Sequence, residues 1–272
     1  MGSATLIDGV RYMMPPNFGP SYAPDVETGF DCHGTSVDFD SSPEAIDRLL
    51  PRWFRPARRP NVSISYRRML NMAWMGGRDY QLVTIGMMAE YDRVGPDGSC
   101  VTETNPYVLA IWESDTAPIL AGRELMGAPK LFGTIPPDPI GGFDHGFSCH
   151  EYDALLVKGA LSGLTEIPAD KVAIAAEKAK DAWGWYWKHI PGPGGVPDAD
   201  YPVGMKMWTP FTKMWRGAGS FEWGTPDAKA APYSHAIIAA MRELPVLSEV
   251  RAVAWHAEKC TLFRNQTRRW DI

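Results

Sequence analysis

Short apolar segments separated by glycine and proline make up most of the chain, and only three stretches carry the spacing of an amphipathic helix. The first begins at Ser41-Ser42-Pro43-Glu44. A serine N-cap, a proline at the first helical position and an early carboxylate precede Ala45, Ile46, Leu49 and Leu50, and Pro51 ends the run. The second covers 168–181, with Val172, Ala175, Ala176 and Ala179 on one face, and the third covers 236–243, stopped by Pro245. Strands are expected at 62–74, 80–91, 107–112, 155–159, 183–190, 203–208 and 250–263. The punctuation by 26 glycines and 24 prolines fits a turn-rich α+β domain that is mainly β. Periodicity alone does not choose between a barrel and a sandwich.

Composition narrows the function. With 272 residues, 45% of them hydrophobic, and no sharp shift in composition, residues 1–272 read as a single domain. A net charge of -5 without basic clusters argues against nucleic acid or an anionic membrane as partner and for a small molecule. Neither an export signal nor the roughly 20 apolar residues of a membrane helix is expected, so the protein reads as soluble and cytoplasmic. Cys32, Cys100, Cys149 and Cys260 are widely spaced, as free thiols in a reducing compartment would be. Cys32-His33 and Cys149-His150 lack zinc-site spacing, and no metal is expected. The run 191–197 lacks the Lys-Ser/Thr of a phosphate cradle and reads as a surface loop.

Eleven tryptophans and thirteen methionines cluster along the chain, notably Met69, Met72, Trp74 and Met75, then Trp183, Trp185 and Trp187, then Met205, Met207 and Trp208. They fill a core well, and most are expected to do so. The functional alternative is a wide pocket for a bulky hydrophobic substrate, because strand alternation puts the three indoles of 183–187 on one face.

One lysine stands in unusual company. Lys130 follows Pro129 in a run that includes Ile111, Trp112, Ile119, Leu120, Leu131 and Phe132. Burial disfavours an ammonium, and a neutral amine is a nucleophile able to form a Schiff base with a carbonyl compound. Gly122-Arg123-Glu124-Leu125, followed four residues later by Pro129-Lys130, resembles the Schiff-base lysine segment of the acetoacetate decarboxylase-like superfamily. Trp185 to Pro191 is similar to that family's strand before a Pro/Gly turn, and Glu243-Leu244-Pro245-Val246 leading into 250–262 is similar to its last strand. The resemblance implies an antiparallel β-barrel with a few peripheral helices, Lys130 inside, no cofactor, and assembly into a homo-oligomer.

Departures from the family pattern shape the expected chemistry. The decarboxylases carry a second lysine where this chain has Leu131, and their pocket glutamates fall near Arg67 and Leu82. Their N-terminal arginine falls near Cys32 or His33. The chain therefore looks like the branch that keeps the lysine for aldolase, dehydratase or cyclisation chemistry. Its expected activity is that of a carbon–carbon lyase of retro-aldol or aldolase-dehydratase type, acting on a bulky, even aromatic, oxo or hydroxy compound. The alternatives are a β-keto-acid decarboxylase of acetoacetate type and a non-catalytic small-molecule binder. Lys130 would be the nucleophile or general base. His256 on the last strand would either move protons or stand hydrogen-bonded on the barrel wall, and Glu124 is a weaker catalytic candidate with a plainer role in pairing a cation. Tyr80, Leu82, Tyr91, Arg67, Met126, Leu131 and Trp255 are expected to line the substrate pocket. Arg67 would either hold a carboxylate or phenolate or, as the plainer reading, stand exposed with Arg68 on a sheet face.

Overall fold

A computed structural model describes residues 6–95, 97–137 and 146–270. In chain order these residues form β1 (Val26–Asp40), α1 (Pro43–Asp47), β2 (Arg55–Pro56), β3 (Asn61–Met72), β4 (Arg78–Val94) and β5 (Cys100–Glu113). Next come α2 (Thr116–Ala121), a π-helical turn (Gly122–Met126), β6 (Lys130–Phe132), β7 (Phe147–Glu151), β8 (Ala154–Glu166) and α3 (Ala169–Lys178). The order closes with β9 (Trp183–Ile190), β10 (Ala199–Trp208), β11 (Phe211–Trp223), α4 (His235–Arg242) and β12 (Arg251–Arg269). The chain is mainly β.

Strand pairing runs β1-β3-β4-β5-β9-β10-β12-β11-β8-β7, and β1 also pairs with β12. Seven strands thus form a closed circuit, from which β11, β8 and β7 branch. All pairings are antiparallel except β5 with β6 and β5 with β9, the latter through Tyr107 and Trp185 alone.

Alternation along the strands separates two apolar layers. On β3 and β4, Val62, Ile64, Tyr66, Val83, Ile85 and Met87 pack with Trp112, Leu156, Trp185 and Ile238 in the larger core. The residues between them, Ser63, Ser65, Arg67 and Met69 on β3 and Leu82 and Thr84 on β4, face a cavity on the other side. The indole stripe of β9 belongs largely to the first layer. Trp185 is fully buried, stacked 5.2 Å from Phe54 and edge-on to Trp270 at 5.9 Å. Trp187 turns outward, where its Nε1 donates to Asp200 Oδ1 at 2.8 Å. Only Trp183 of the three reaches the cavity.

Ser42 caps α1 as expected, its hydroxyl accepting from Ala45 N at 3.1 Å. Two long strands and one helix were not legible. In β1 the core residues are interleaved with Asp31, His33, Thr35 and two glycines, and β11 alternates half-buried with exposed side chains. Pro118 reads as a breaker, yet it sits in the first turn of α2, where a backbone N–H would have no helical acceptor. Asp115 caps that helix by accepting from Ala117 N at 2.8 Å. No helix among the described residues is long and apolar enough to cross a membrane.

Candidate active site

Lys130 opens β6, which pairs in parallel with the end of β5: Ile111 lies opposite Lys130 and Glu113 opposite Phe132. The preceding π-turn ends on Gly127, whose φ of 71° is left-handed, and there the backbone folds back so that Ala128 N donates to Gly122 O at 3.0 Å. Arg123 Nη1 donates to the Lys130 carbonyl at 3.0 Å, which fixes the lysine's main chain. The Lys130 side chain then crosses directly over Gly122. A Cβ there would lie 2.8 Å from Nζ and closer still to Cδ and Cε, so only glycine leaves the amine a path.

At the end of that path Nζ lies 2.7 Å from Glu113 Oε1 and 3.0 Å from the Pro118 carbonyl, to which it donates. The side chains of Lys130 and Glu113 are 9% and 1% exposed, so this is an ion pair withdrawn from water. Burial raises the Glu113 carboxyl above the usual carboxylate range, while the attraction of Lys130 and their hydrogen bond pull it back down. Among the described residues Glu113 Oε2 has no hydrogen-bond partner. Tyr80 and Tyr186 are fully buried nearby, and burial raises both phenols well above their ordinary range.

The pair looks into a cavity of about 480 Å³. Its apolar walls include Met69, Leu82, Ile111, Met205, Met207 and Phe211, and its polar lining includes Ser63, Ser65, Thr84, Arg67, Tyr80 and Tyr186. Of the expected site residues, Lys130, Arg67, Tyr80, Leu82 and Met126 line this one cavity. The methionine clusters contribute walls, whereas the tryptophans mostly do not.

Five of the expected site residues lie elsewhere. His256 falls outside the cavity lining: its ring stacks on His33 at 4.0 Å and meets the edge of Trp215 at 5.2 Å. Burial, with the charges of His33 and Lys213, lowers it to about 4, so it is neutral at physiological pH. Glu124 is outside the cavity lining: its carboxylate accepts from Met14 N at 3.0 Å and its carbonyl receives Lys188 Nζ at 2.9 Å, a fastening role. Leu131 follows Lys130 along a strand, so it points to the opposite face and packs on the larger core. Tyr91 is in that same core beside Phe54 and Trp185. Trp255 lies behind the cavity wall, its indole laid against Gly34, where a Cβ would meet Nε1 at 2.9 Å.

Glu113 was missed because it ends an apolar strand and reads as the boundary residue after Trp112. The available signal was its spacing. Ile111 and Glu113, two apart on one strand, share a face. Among the described residues no group of three or more metal-ligating side chains exists, and all four cysteines are free.

The family model described as acetoacetate decarboxylase matches residues 12–267. No curated protein matches in sequence. Among solved structures, the enduracididine biosynthesis enzyme MppR, in complex with the condensation product of pyruvate and imidazole 4-carboxaldehyde, superposes with a TM-score of 0.68. It is 17% identical, with 99% of this chain and 98% of that one covered. Acetoacetate decarboxylase from Legionella pneumophila gives a TM-score of 0.65 at 17% identity, covering 98% and 99%. An acetoacetate decarboxylase-like enzyme from Sphingomonas wittichii gives 0.62 at 16% identity, covering 93% and 98%.

Proposed function

The chain belongs to the acetoacetate decarboxylase family, and from that premise we propose that it is a lyase which forms an imine through Lys130 and cleaves or joins a carbon–carbon bond of aldol type. The observation that carries this reading is the buried Lys130–Glu113 pair facing a cavity large enough for a ring-bearing substrate. We read the closed circuit of seven strands as the barrel that holds the lysine inside.

The chemistry follows from the pair. Glu113, whose carboxyl burial makes more basic than usual, takes a proton from Nζ. The free amine adds to a substrate carbonyl. The carbinolamine then loses its oxygen as water, with the protons of the former amine and of Glu113 balancing the step and leaving an iminium on Lys130. In the retro-aldol direction Glu113 removes the proton of the β-hydroxyl, and the carbon–carbon pair moves into the iminium. An aldehyde departs and leaves an enamine. Protonation of its carbon and hydrolysis by water release the second product and restore the amine. No second lysine is required, because Glu113 takes the proton.

The enzyme should cleave or condense an aryl-substituted aldol-type compound without added metal, flavin or nicotinamide. The aldehyde released is measured directly, and wild-type and Lys130→Met proteins releasing it at the same rate would refute the reading. The likeness to MppR, whose complex holds the condensation product of pyruvate and imidazole 4-carboxaldehyde, supports the assignment.

A further inference from the structure

Among the charged groups that line the cavity, Lys130 and Glu113 neutralise one another, and Asp38 accepts from Ser36 at 2.7 Å. Asp38 lies opposite Ser63 on β3, four positions from Arg67, roughly 13 Å along the strand at 3.3 Å per residue. Arg67 is left as a cation with no carboxylate partner among the described residues, and its Nε is buried without a hydrogen bond. An unpaired donor on a charged group is costly unless something in the cavity accepts from it.

Its position is set by strand register. Arg67 lies opposite Leu82, and Leu82 opposite Glu113, so the three form one row across β3, β4 and β5. Two strand spacings place the Arg67 and Glu113 Cα atoms about 10 Å apart, with both side chains directed into the same cavity. On the other side the row continues through Gly34 to Trp255, whose ring lies 5.8 Å from the guanidinium carbon. The indole therefore backs the cation, and the absent side chain of Gly34 lets it come close.

We propose that Arg67 is the specificity-determining anchor of this site and binds the carboxylate of a 2-oxo acid whose carbonyl carbon meets Lys130. This rests on the reading of Lys130 as an imine-forming amine. The choice of a 2-oxo acid follows from what a fixed cation does during reaction. A guanidinium bound to a carboxylate stabilises the ground state of any reaction that expels that carboxylate as carbon dioxide, which opposes decarboxylation. The same contact is kept throughout when the bond broken or made lies on the far side of the carbonyl. There it holds the three-carbon unit on the lysine while the aldehyde leaves or arrives. A planar guanidinium also matches a carboxylate through two parallel N–H donors. The apolar walls formed by Met205, Met207 and Phe211 are then left for the aldehyde's substituent.

The test is calorimetric titration with oxamate, which has the shape and charge of a 2-oxo acid but an amide in place of the ketone, so it forms no imine. Wild-type protein should bind oxamate. Arg67→Gln should weaken that binding at least ten-fold and Arg67→Lys by less, while the uncharged ester ethyl oxamate should not distinguish the three. Thermal melts identify folded variants, and if Arg67→Gln does not fold, Arg67→Lys is read in its place. Equal oxamate affinity in wild type and a folded variant, or no oxamate affinity in folded wild type, would overturn the proposal. Borohydride trapping of methyl pyruvate on Lys130 needs no carboxylate. Loss of trapping with oxamate binding intact would refute the imine and spare the anchor, and the converse would do the opposite.

Discussion

Removing either member of the Glu113–Lys130 pair should cost more stability than removing both. The two groups are 2.7 Å apart and almost wholly buried. At an effective dielectric near 20 their attraction is about 6 kcal/mol, and the desolvation of both ions offsets most of it. Taking away one partner leaves the desolvation without the attraction, a loss of about 3–5 kcal/mol. Lys130→Met and Glu113→Leu should each show this loss in guanidinium unfolding at pH 7, and the double variant should lie near wild type. A coupling energy of about 2 kcal/mol or more is expected. The pH dependence has a definite sign. In Lys130→Met, burial, the largest influence on Glu113, is no longer opposed by the lysine and raises its folded pKa above the unfolded value. The protonated form is then favoured in the fold, and its contribution is full below the ordinary carboxylate range and lost as pH rises through the folded pKa. The penalty of Lys130→Met should therefore shrink as pH is lowered from 7 towards 5. Single variants within about 0.5 kcal/mol of wild type, or losses that simply add, would refute the reasoning.

Further outcomes follow from the same geometry. Gly122→Ala should displace the lysine side chain and abolish labelling of Lys130 by carbonyl compounds with borohydride, while circular dichroism shows the fold retained; undiminished labelling would mean the amine has another path. His256 has a folded pKa below its ordinary 6.5, so it contributes stability above that value which is lost as pH falls towards about 4. Melting curves of His256→Gln should be less acid-sensitive in that window, by about 1 kcal/mol after allowing for solvent screening, with activity unchanged. Leu131→Ala should lower the melting temperature without altering the pH–rate profile, since the side chain packs on the far face; a shifted profile would place it in the site. Acetoacetate should release carbon dioxide far more slowly than an ordinary enzyme turns over, about 10 per second.

Legibility in the sequence depended on how far each feature was local. Lys130 could be found because Pro129 and Gly122 lie close to it in the chain and most of the apolar residues around it are near neighbours in sequence. The helix start at Ser42 was legible for the same reason. Arg67 and Leu82 came from the resemblance, and the register of β3 with β4 puts them on one face with Tyr80. His256 and Leu131 failed on strand parity: a shift of one position exchanges cavity for the opposite face. Spacing could have put Glu113 on the face of Ile111, but its pairing with Lys130 needs the parallel β5–β6 contact, which no pattern in either segment announces. Strand β1 was hidden by its glycines, one of which, Gly34, makes room for Trp255. The aromatic stripe of β9 pointed to a pocket, but Trp185 fills the larger core, whereas the alternate positions Gly184 and Tyr186 face the cavity.

The central claim is that Lys130 carries the substrate as an imine. Borohydride reduction in the presence of a carbonyl substrate, followed by digestion and mass measurement of the peptides, tests it most directly. A stable adduct is expected on the peptide containing Lys130, with inactivation in proportion to labelling and no adduct in Lys130→Met or Lys130→Arg. An enzyme that turns over its substrate while Lys130 remains unlabelled, or that keeps its activity in Lys130→Arg, would contradict it.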